Sequence, residues 1–190
     1  MRVRWKDFEL PTRLICDEKT LTKTFGAFIA EPFERGYGTT IGNSLRRVLL
    51  SSIEGAAVTR VKIKNLGHEF TALPGVYEDV TDIVLNLKKL VVRLNLDEPQ
   101  KIKIDVHERG EVKAAHIVPH PSVEILNPDL HIATLTEDTE FVVEMETRRG
   151  RGYITSEENV TEDDELGVIP VDSIFSPVRR VKYRVENTRV

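Results

Sequence analysis

The sequence has almost no cysteine, few aromatic residues, no strong excess of charge and no long apolar run. Cys16 is the single cysteine among 190 residues, which excludes an intrachain disulfide and a metal cluster held by cysteines. Aromatic residues make up 6% of the chain and the net charge is −4, unlike the basic composition of proteins that coat nucleic acids. No apolar run reaches the ~18 residues that span a bilayer. The N-terminal residues MRVRWK lack the apolar core of a signal peptide, so we expect a cytoplasmic protein.

What is present is the composition of an ordinary globular protein. Hydrophobic residues make up 40% of the chain and charged residues 31%. At roughly 100–200 residues per domain, this length predicts one or two domains.

Glycines and threonines open the most distinctive segment, EPFERGYGTTIGNSLRRVLLSS at 31–52. Gly36 and Gly38 give the backbone the freedom that a sharp turn needs. Thr39 or Thr40 can then cap a helix, because a side-chain oxygen accepts from an otherwise unpaired N–H of the first turn. The predicted helix carries one apolar stripe, in which we expect the two leucines to be buried: Ile41, Leu45, Val48, Leu49 and Ser52.

Three residues of this predicted helix fall off the apolar stripe. Arg46, Arg47 and Leu50 place two guanidinium groups beside an exposed leucine. Arginines and desolvated apolar anchors are common hot spots of protein interfaces. The pattern therefore favours a docking surface for another protein.

Most of the remaining chain predicts short strands. Apolar and charged residues alternate at 58–63, 102–106 and 141–145, which is typical of strands with one buried face. The acidic segment 156–166 predicts an exposed loop.

A second helix is predicted directly after Pro74 and Gly75. Acidic residues lie early in it and Lys88 and Lys89 late, which matches the helix dipole. Its predicted apolar stripe consists of Val76, Val80, Ile83, Val84, Leu87 and Leu90.

Basic and apolar residues alternate near the C-terminus. The pattern predicts a strand with Val181, Tyr183 and Val185 on one face and Arg180, Lys182 and Arg184 on the other. A solvated strand face is the simpler interpretation of the pattern alone. The rival hypothesis is a free-standing nucleic-acid-binding module that uses this strand and the segment RGRGY at 149–153.

Signals for catalysis are weak. Gly36, Gly38 and Gly42 are spaced one residue longer than the dinucleotide fingerprint, and no Gly-Lys-Ser/Thr phosphate loop occurs. The carboxylates at 162–165 lack the spacing of a calcium loop. His68 and His131 are better explained as hydrogen-bonded structural groups than as bases. A nucleotide-dependent enzyme would need nucleotide binding at 36–42; we expect no catalytic residue, no cofactor and no metal site.

Five motifs, in order along the chain, carry a family resemblance. They are ERGYGTTIGNSLRRVLLSS at 34–52, LGHEFTALPGVYEDVTDIVLNLKKL at 66–90, VEILNPDLHIATL at 123–135, RGRGY at 149–153 and IPVDSIFSPVRRVKYRVENTRV at 169–190. Together they resemble the N-terminal assembly domain of the alpha subunit of bacterial RNA polymerase, over residues 24–190.

The resemblance implies an α+β fold with a discontinuous architecture. Residues 1–54 and 172–190 would form a dimerisation domain, in which helices lie on an antiparallel sheet. Residues 55–171 would form an inserted, mostly β domain. Composition does not show these boundaries.

The resemblance also implies an assembly scaffold of DNA-directed RNA polymerase, a nucleotidyltransferase, with no active site of its own. Two copies would form a homodimer, recruit the beta and then the beta-prime subunit, and reach DNA only through the complex. The residues that match the dimer helix are Ile41, Leu45, Val48 and Leu49. Those that match beta-docking positions are Arg46, Arg47, Leu50 and Asp82. Those that match beta-prime-docking positions are Lys88, Val171, Arg179 and Arg180.

The family continues beyond the residues that match 186–190. A strand, a long second dimer helix, a linker and a DNA-binding domain follow there. Because a stable obligate dimer typically buries ~2,000 Å² or more, we expect these 190 residues alone to form a monomer or a weak dimer.

Overall fold

The computed structural model describes residues 9–64, 66, 72–161 and 165–188. Helices are combined with antiparallel strands, which confirms the predicted α+β class. The chain divides into two compact units, one within Met1–Leu49 and Arg180–Val190 and the other at Leu50–Arg179. The domain boundaries drawn from the sequence, near residues 54 and 171, stay a prediction.

The first unit contains a two-stranded sheet and a long helix. β1 (Leu14–Cys16) pairs antiparallel with β2 (Phe28–Ala30), and α1 (Tyr37–Ser51) begins in this unit. Gly36 has φ = 91°, a left-handed conformation that glycine adopts without steric cost, so the chain turns sharply into α1 as predicted. The predicted caps are wrong: the helix begins at Tyr37, and Thr39 and Thr40 lie inside its first turn.

The second unit holds ten strands and two short helices among the described residues. In chain order they are β3 (Glu54–Ile63), α2 (Val80–Leu87), β4 (Val92–Leu94), β5 (Gln100–Val106), β6 (Gly110–Lys113), β7 (Val123–Ile125), β8 (His131–Leu135), β9 (Phe141–Arg151), β10 (Tyr153–Ile154), α3 (Ser156–Asn159), β11 (Val168–Pro170) and β12 (Ser173–Ile174). A 3₁₀ turn covers Ala114–His116. Within the described ranges, no helix is both long and apolar enough to cross a membrane.

The main sheet is antiparallel and is centred on β3 and β9. Its strands follow the order β5-β9-β3-β4-β7, and β11 also pairs with β3. Val58 and Val61 are both buried although they are three positions apart, which would place them on opposite faces of a regular strand; the β3–β9 register shifts between Val58 and Arg60. Thr59 is the extra residue, and its hydroxyl donates to the Glu146 carbonyl at 3.3 Å.

One hydrophobic core joins α2 to the strands. Ile102 and Ile104 of β5 and Phe141, Val143 and Met145 of β9 are buried, which confirms the predicted alternation. The bulkiest of the fully enclosed side chains are Phe141, Ile83, Leu87, Ile104, Ile132, Leu135 and Met145.

α2 begins later than predicted. Asp79 is its N-cap and accepts a hydrogen bond from the Asp82 N–H at 2.7 Å, so the helix starts at Val80. Val76 forms an isolated bridge with Leu135 instead of a helical turn. The helix also ends earlier than predicted, at Leu87, so Lys88 is its C-cap and Lys89 and Leu90 lie beyond it. The burial predicted for the rest of the stripe is confirmed, since these residues are buried or half-buried: Val80, Ile83, Val84, Leu87 and Leu90.

The acidic segment 156–166 was predicted to be an exposed loop, and this is wrong for its first part. Its first four residues form α3, which Thr155 caps by accepting from the Glu158 N–H at 3.4 Å. Asn159 is 2% exposed, and its amide donates to the Val171 carbonyl and the Ser173 hydroxyl at 2.7 and 3.0 Å. These bonds fix the turn to the neighbouring strand region. Residues 162–164 lie outside the described ranges.

Candidate protein-interaction surfaces

The apolar stripe of α1 is open within the chain. Leu45 and Val48 are each 52% exposed, and Ile41 and Leu49 are half-buried. The expectation that Leu45 and Leu49 are buried is therefore wrong for the single chain. The C-terminal segment of the same unit packs on the first two turns of α1, whereas most of the stripe lies in the later turns.

A second patch lies off that stripe. Arg46 and Arg47 are exposed and Leu50 is half-buried. Residues three and four apart are neighbours on a helix, so Leu50 lies beside both arginines. The helix thus brings two cations and an apolar side chain together and presents two chemically different surfaces.

The C-terminal basic segment follows α1 without forming a strand. The predicted strand is wrong, because the backbone groups of a helix are bonded within the helix and offer no ladder to a strand. The alternation holds only in part: Val181 and Tyr183 are half-buried and Lys182 and Arg184 are exposed, but Val185 is 56% exposed, contrary to the prediction. The Tyr183 hydroxyl donates to Asn43 Oδ1 at 2.7 Å, which ties the segment to the helix.

A shallow groove of about 240 Å³ lies beside α2 in the second unit. Apolar side chains from α2 and from the β11 region line most of it: Val80, Val84, Leu85, Ile169, Pro170 and Val171. Its polar lining consists of Thr81, Lys88, Ser156 and Asp172. One of the predicted docking residues, Lys88, therefore borders an apolar depression.

An ion pair borders this groove. Lys88 Nζ lies 2.8 Å from Asp172 Oδ2, and the other carboxylate oxygen accepts from the Ser156 N–H at 2.8 Å. The hydrogen bond from Lys88 and then the one from the Ser156 backbone lower the pKa of Asp172 from 3.8 to about 2. The carboxylate is therefore ionised at neutral pH and fixes the lysine.

The other predicted docking residues lie in different environments. Val171 is 2% exposed within the core, and its N–H donates to the Thr59 carbonyl at 2.9 Å. Its side chain exposes little surface within the single chain but contributes to the lining of the groove beside α2, and the docking role of Val171 stays a prediction. Asp82 is exposed in the first turn of α2, and Arg179 and Arg180 are exposed as well.

The RGRGY segment is largely neutralised within the chain. Arg149 pairs with Asp97, and its second terminal nitrogen donates to the Leu94 carbonyl at 2.8 Å. Arg151 Nε lies 3.1 Å from a Glu54 carboxylate oxygen. Because both arginines already have carboxylate partners, this segment offers little net positive charge to a phosphate backbone. The arrangement disfavours the nucleic-acid-binding hypothesis.

His131 has a structural environment, as predicted. Its ring nitrogens lie 2.8 Å from Glu78 Oε1 and 3.1 Å from Glu111 Oε1. Burial alone would raise the pKa of Glu78, but hydrogen bonds from the Thr134 N–H and the His131 ring outweigh it and lower that pKa. The cluster links β6, β8 and the segment before α2. The second histidine of that prediction, His68, lies outside the described residues.

Sequence reasoning missed the groove and the partner of Lys88. Asp172 lies 84 residues from Lys88, so no local spacing points to the pair. The start of α3 did carry a signal, because Thr155 and Glu158 have the spacing of a capping box. That signal would have placed Ser156 at a helix start but not beside Asp172.

Known proteins resemble this chain over its whole length. Residues 61–176 match the family described as RNA polymerase Rpb3/RpoA insert domain. A protein of Rhodopirellula baltica named DNA-directed RNA polymerase subunit alpha is 52% identical over 100% of this chain and 57% of its own length. Proteins of the same name from Symbiobacterium thermophilum and Desulfovibrio desulfuricans are 57% and 50% identical, over 88% and 98% of this chain and 53% and 54% of their own lengths. The chain thus spans a little over half the length of these relatives.

Proposed function

This chain belongs to the RNA polymerase Rpb3/RpoA insert domain family, and on that premise we propose that it is an assembly subunit of a cytoplasmic DNA-directed RNA polymerase. In this proposal the chain has no active site and no cofactor. Two copies dimerise, beta docks on the dimer, beta-prime completes the core, and DNA is reached only through the complex. Relatives with the alpha-subunit name at 50–57% identity support the proposal.

The observation that carries the proposal is the open surface of α1. Leu45 and Val48 expose about half of their side chains, although aliphatic residues of this size are usually buried. Arg46 and Arg47 lie on another side of the same helix. A helix with an uncovered apolar stripe and a separate arginine patch is suited to contact two partners at once.

The stripe is the proposed site of the second copy. In a two-fold dimer the same patch occurs on both chains, so Leu45 and Val48 would pack on their counterparts. Full-length alpha protein with Leu45→Glu should sediment as a monomer and keep its fold, because the residue is 52% exposed within its own chain. Thr39→Glu, which adds the same charge on the opposite side of α1, should stay dimeric. Dimers of Leu45→Glu would contradict this placement.

The arginine patch is the proposed site for beta. Arg46, Arg47 and Leu50 of α1 supply it, and Asp82 of α2 is a separate proposed contact for beta. A dimer carries two such patches, but a complex with two different large subunits must use them unequally. The proposed contacts for beta-prime are Lys88, Val171, Arg179 and Arg180.

Arg47 provides the test of beta docking. If its guanidinium pairs with a buried carboxylate of beta, Arg47→Ala leaves that charge unmatched at a cost of ~2–5 kcal/mol. Folding should change little, since surface substitutions usually stay within about ±0.5 kcal/mol. Full-length Arg47→Ala should dimerise but fail to capture beta.

Arg184→Ala is the matched control. Arg184 is exposed on the C-terminal segment, where it pairs with Glu186 at 2.9 Å, and it should matter much less for beta capture. Normal capture by the Arg47→Ala dimer would remove Arg47 from the docking site. Failure of the wild-type protein to capture either large subunit would overturn the proposed function itself.

A further inference from the structure

The groove beside α2 combines an apolar lining with an ion pair that is already complete. Val84 is half-buried and Leu85 is 47% exposed, so aliphatic surface of the groove is accessible to a binding partner. Lys88 and Asp172 keep 27% and 33% of their side chains exposed, and their charges cancel at 2.8 Å. The groove therefore offers apolar contact and a polar group without net charge.

We infer that this groove binds an uncharged segment of the beta-prime subunit. An aliphatic side chain of that segment packs on Val84 and Leu85, and one of its main-chain carbonyls accepts a hydrogen bond from Lys88 Nζ. The inference rests on the proposed docking of beta-prime at Lys88. It goes beyond that proposal by stating the chemistry of the occupant.

The completed pair disfavours a carboxylate as the group that Lys88 binds. An ammonium has three N–H groups, and the bond to Asp172 uses one of them. A partner carboxylate at the remaining N–H groups would approach the Asp172 carboxylate, and like charges at such distances repel. A carbonyl oxygen accepts the same hydrogen bond without that repulsion. The lowered pKa of Asp172 supports this, since the carboxylate stays ionised at neutral pH.

Asp172 acts here as a positioning residue. Its second oxygen is held by the Ser156 N–H at 2.8 Å, so the carboxylate is fixed to the start of α3. A lysine side chain loses much rotamer freedom when it is bound, and a lysine already fixed by Asp172 loses less of it on docking. Asp172 should therefore influence the partner through Lys88 alone.

The test measures beta-prime binding to the complex of full-length alpha with beta. Affinities of wild type and Lys88→Met are compared at ~0.05 M and ~0.3 M salt, over which the Debye length more than halves. We expect Lys88→Met to weaken binding ~3- to 10-fold, as for one lost hydrogen bond, by the same factor at both salt concentrations. The double variant with Asp172→Asn should bind no more weakly than Lys88→Met alone.

Matched leucines test the apolar half of the groove. Leu85→Ser should weaken beta-prime binding, whereas Leu96→Ser, 49% exposed and outside the groove lining, should leave it unchanged. Circular dichroism checks that both variants are folded.

Each contrary outcome has a distinct meaning. A Lys88→Met effect that fades at high salt would assign a carboxylate to the partner and overturn the inference, while beta-prime docking stands. No effect at either salt concentration would remove Lys88 from the interface. Absence of beta-prime binding by the wild-type complex would overturn the proposed docking and the inference with it.

Discussion

Gly150 lies under the ring of Phe175, so closely that a β-carbon at position 150 would be 2.9 Å from three carbons of that ring. Gly55 is the residue opposite Gly150 in the β3–β9 ladder, and a β-carbon there would be 1.9 Å from the Phe175 carbonyl oxygen. Because neither glycine has a side chain, Phe175 packs directly against the backbone of the sheet at these two positions, and it is 3% exposed. Gly150 of the RGRGY segment thus has a packing role.

Gly150→Ala should destabilise the chain. The added methyl group forces the Phe175 ring or the strand to move, and overpacking of this kind typically costs ~1–3 kcal/mol. Urea unfolding measures the loss. Arg148→Ala, at an exposed position two residues earlier, should change stability by no more than about 0.5 kcal/mol. An unchanged unfolding midpoint for Gly150→Ala would mean that Phe175 has room to shift.

Two residues of α2 should respond differently to the same truncation. Ile83 is 0% exposed, so Ile83→Ala should cost ~2–5 kcal/mol through lost burial and the cavity left behind. Leu85 is 47% exposed on the same helix, so Leu85→Ala should cost much less, within about 1 kcal/mol. Chemical denaturation of both variants measures the difference. Equal losses would contradict the observed orientation of the helix.

Gly42→Ala should release the C-terminal segment from α1. A β-carbon at position 42 would lie 2.5 Å from Tyr183 Cδ2, so the ring and its hydrogen bond to Asn43 must be displaced. Replacing a helical glycine by alanine favours the helix itself by ~1 kcal/mol, so global stability should change little. Trypsin should then cut faster at the basic residues of 180–184. Ser44→Ala on another side of α1 is the control, and unchanged cleavage of Gly42→Ala would contradict the packing.

The sequence predicted the strand cores well because burial follows a local period. Alternate residues of β5 and β9 share one face, so Ile104 and Phe141 could be assigned to the core without knowledge of their partners. Val58 and Val61 are three positions apart and do not fit the strict alternation predicted for 58–63, yet both are buried. The bulge at Thr59 that reconciles them depends on the register with β9, which no local pattern encodes.

The features that the sequence predicted wrongly or missed have a different cause. A stripe such as Leu45 and Val48 shows which side of a helix is apolar but not what covers it, and in the single chain it stays open. The alternation around Tyr183 shows one covered side but not whether a strand or a helix covers it. Likewise, Asp172 meets Lys88 only because the fold brings them together. Each of these features depends on contacts between residues far apart in the sequence or with another chain. The candidate interaction sites depend on the same kind of contact, so local patterns do not reveal them.

The Lys88–Asp172 pair should make stability depend on acid. Asp172 has a pKa of about 2 in the folded chain, below its ordinary value of 3.8, owing first to Lys88 and then to the Ser156 N–H. A carboxyl with a lowered pKa stabilises the fold fully above its unfolded-state pKa, and this contribution is lost as the pH falls through the folded-state value. With allowance for solvent screening of a pair about one-third exposed, the contribution is about 1 kcal/mol.

Asp172→Asn isolates this contribution, because asparagine still offers an oxygen to the Ser156 N–H but carries no charge for Lys88. The variant should be less stable than wild type by about 1 kcal/mol at neutral pH. As the pH falls from 3.8 to about 2, protonation of Asp172 in the wild type should make the two proteins converge. Urea unfolding across this range measures the gap. A gap that stays constant down to about pH 2 would show that the loss comes from the hydrogen bond to Ser156 and not from the charge of Asp172.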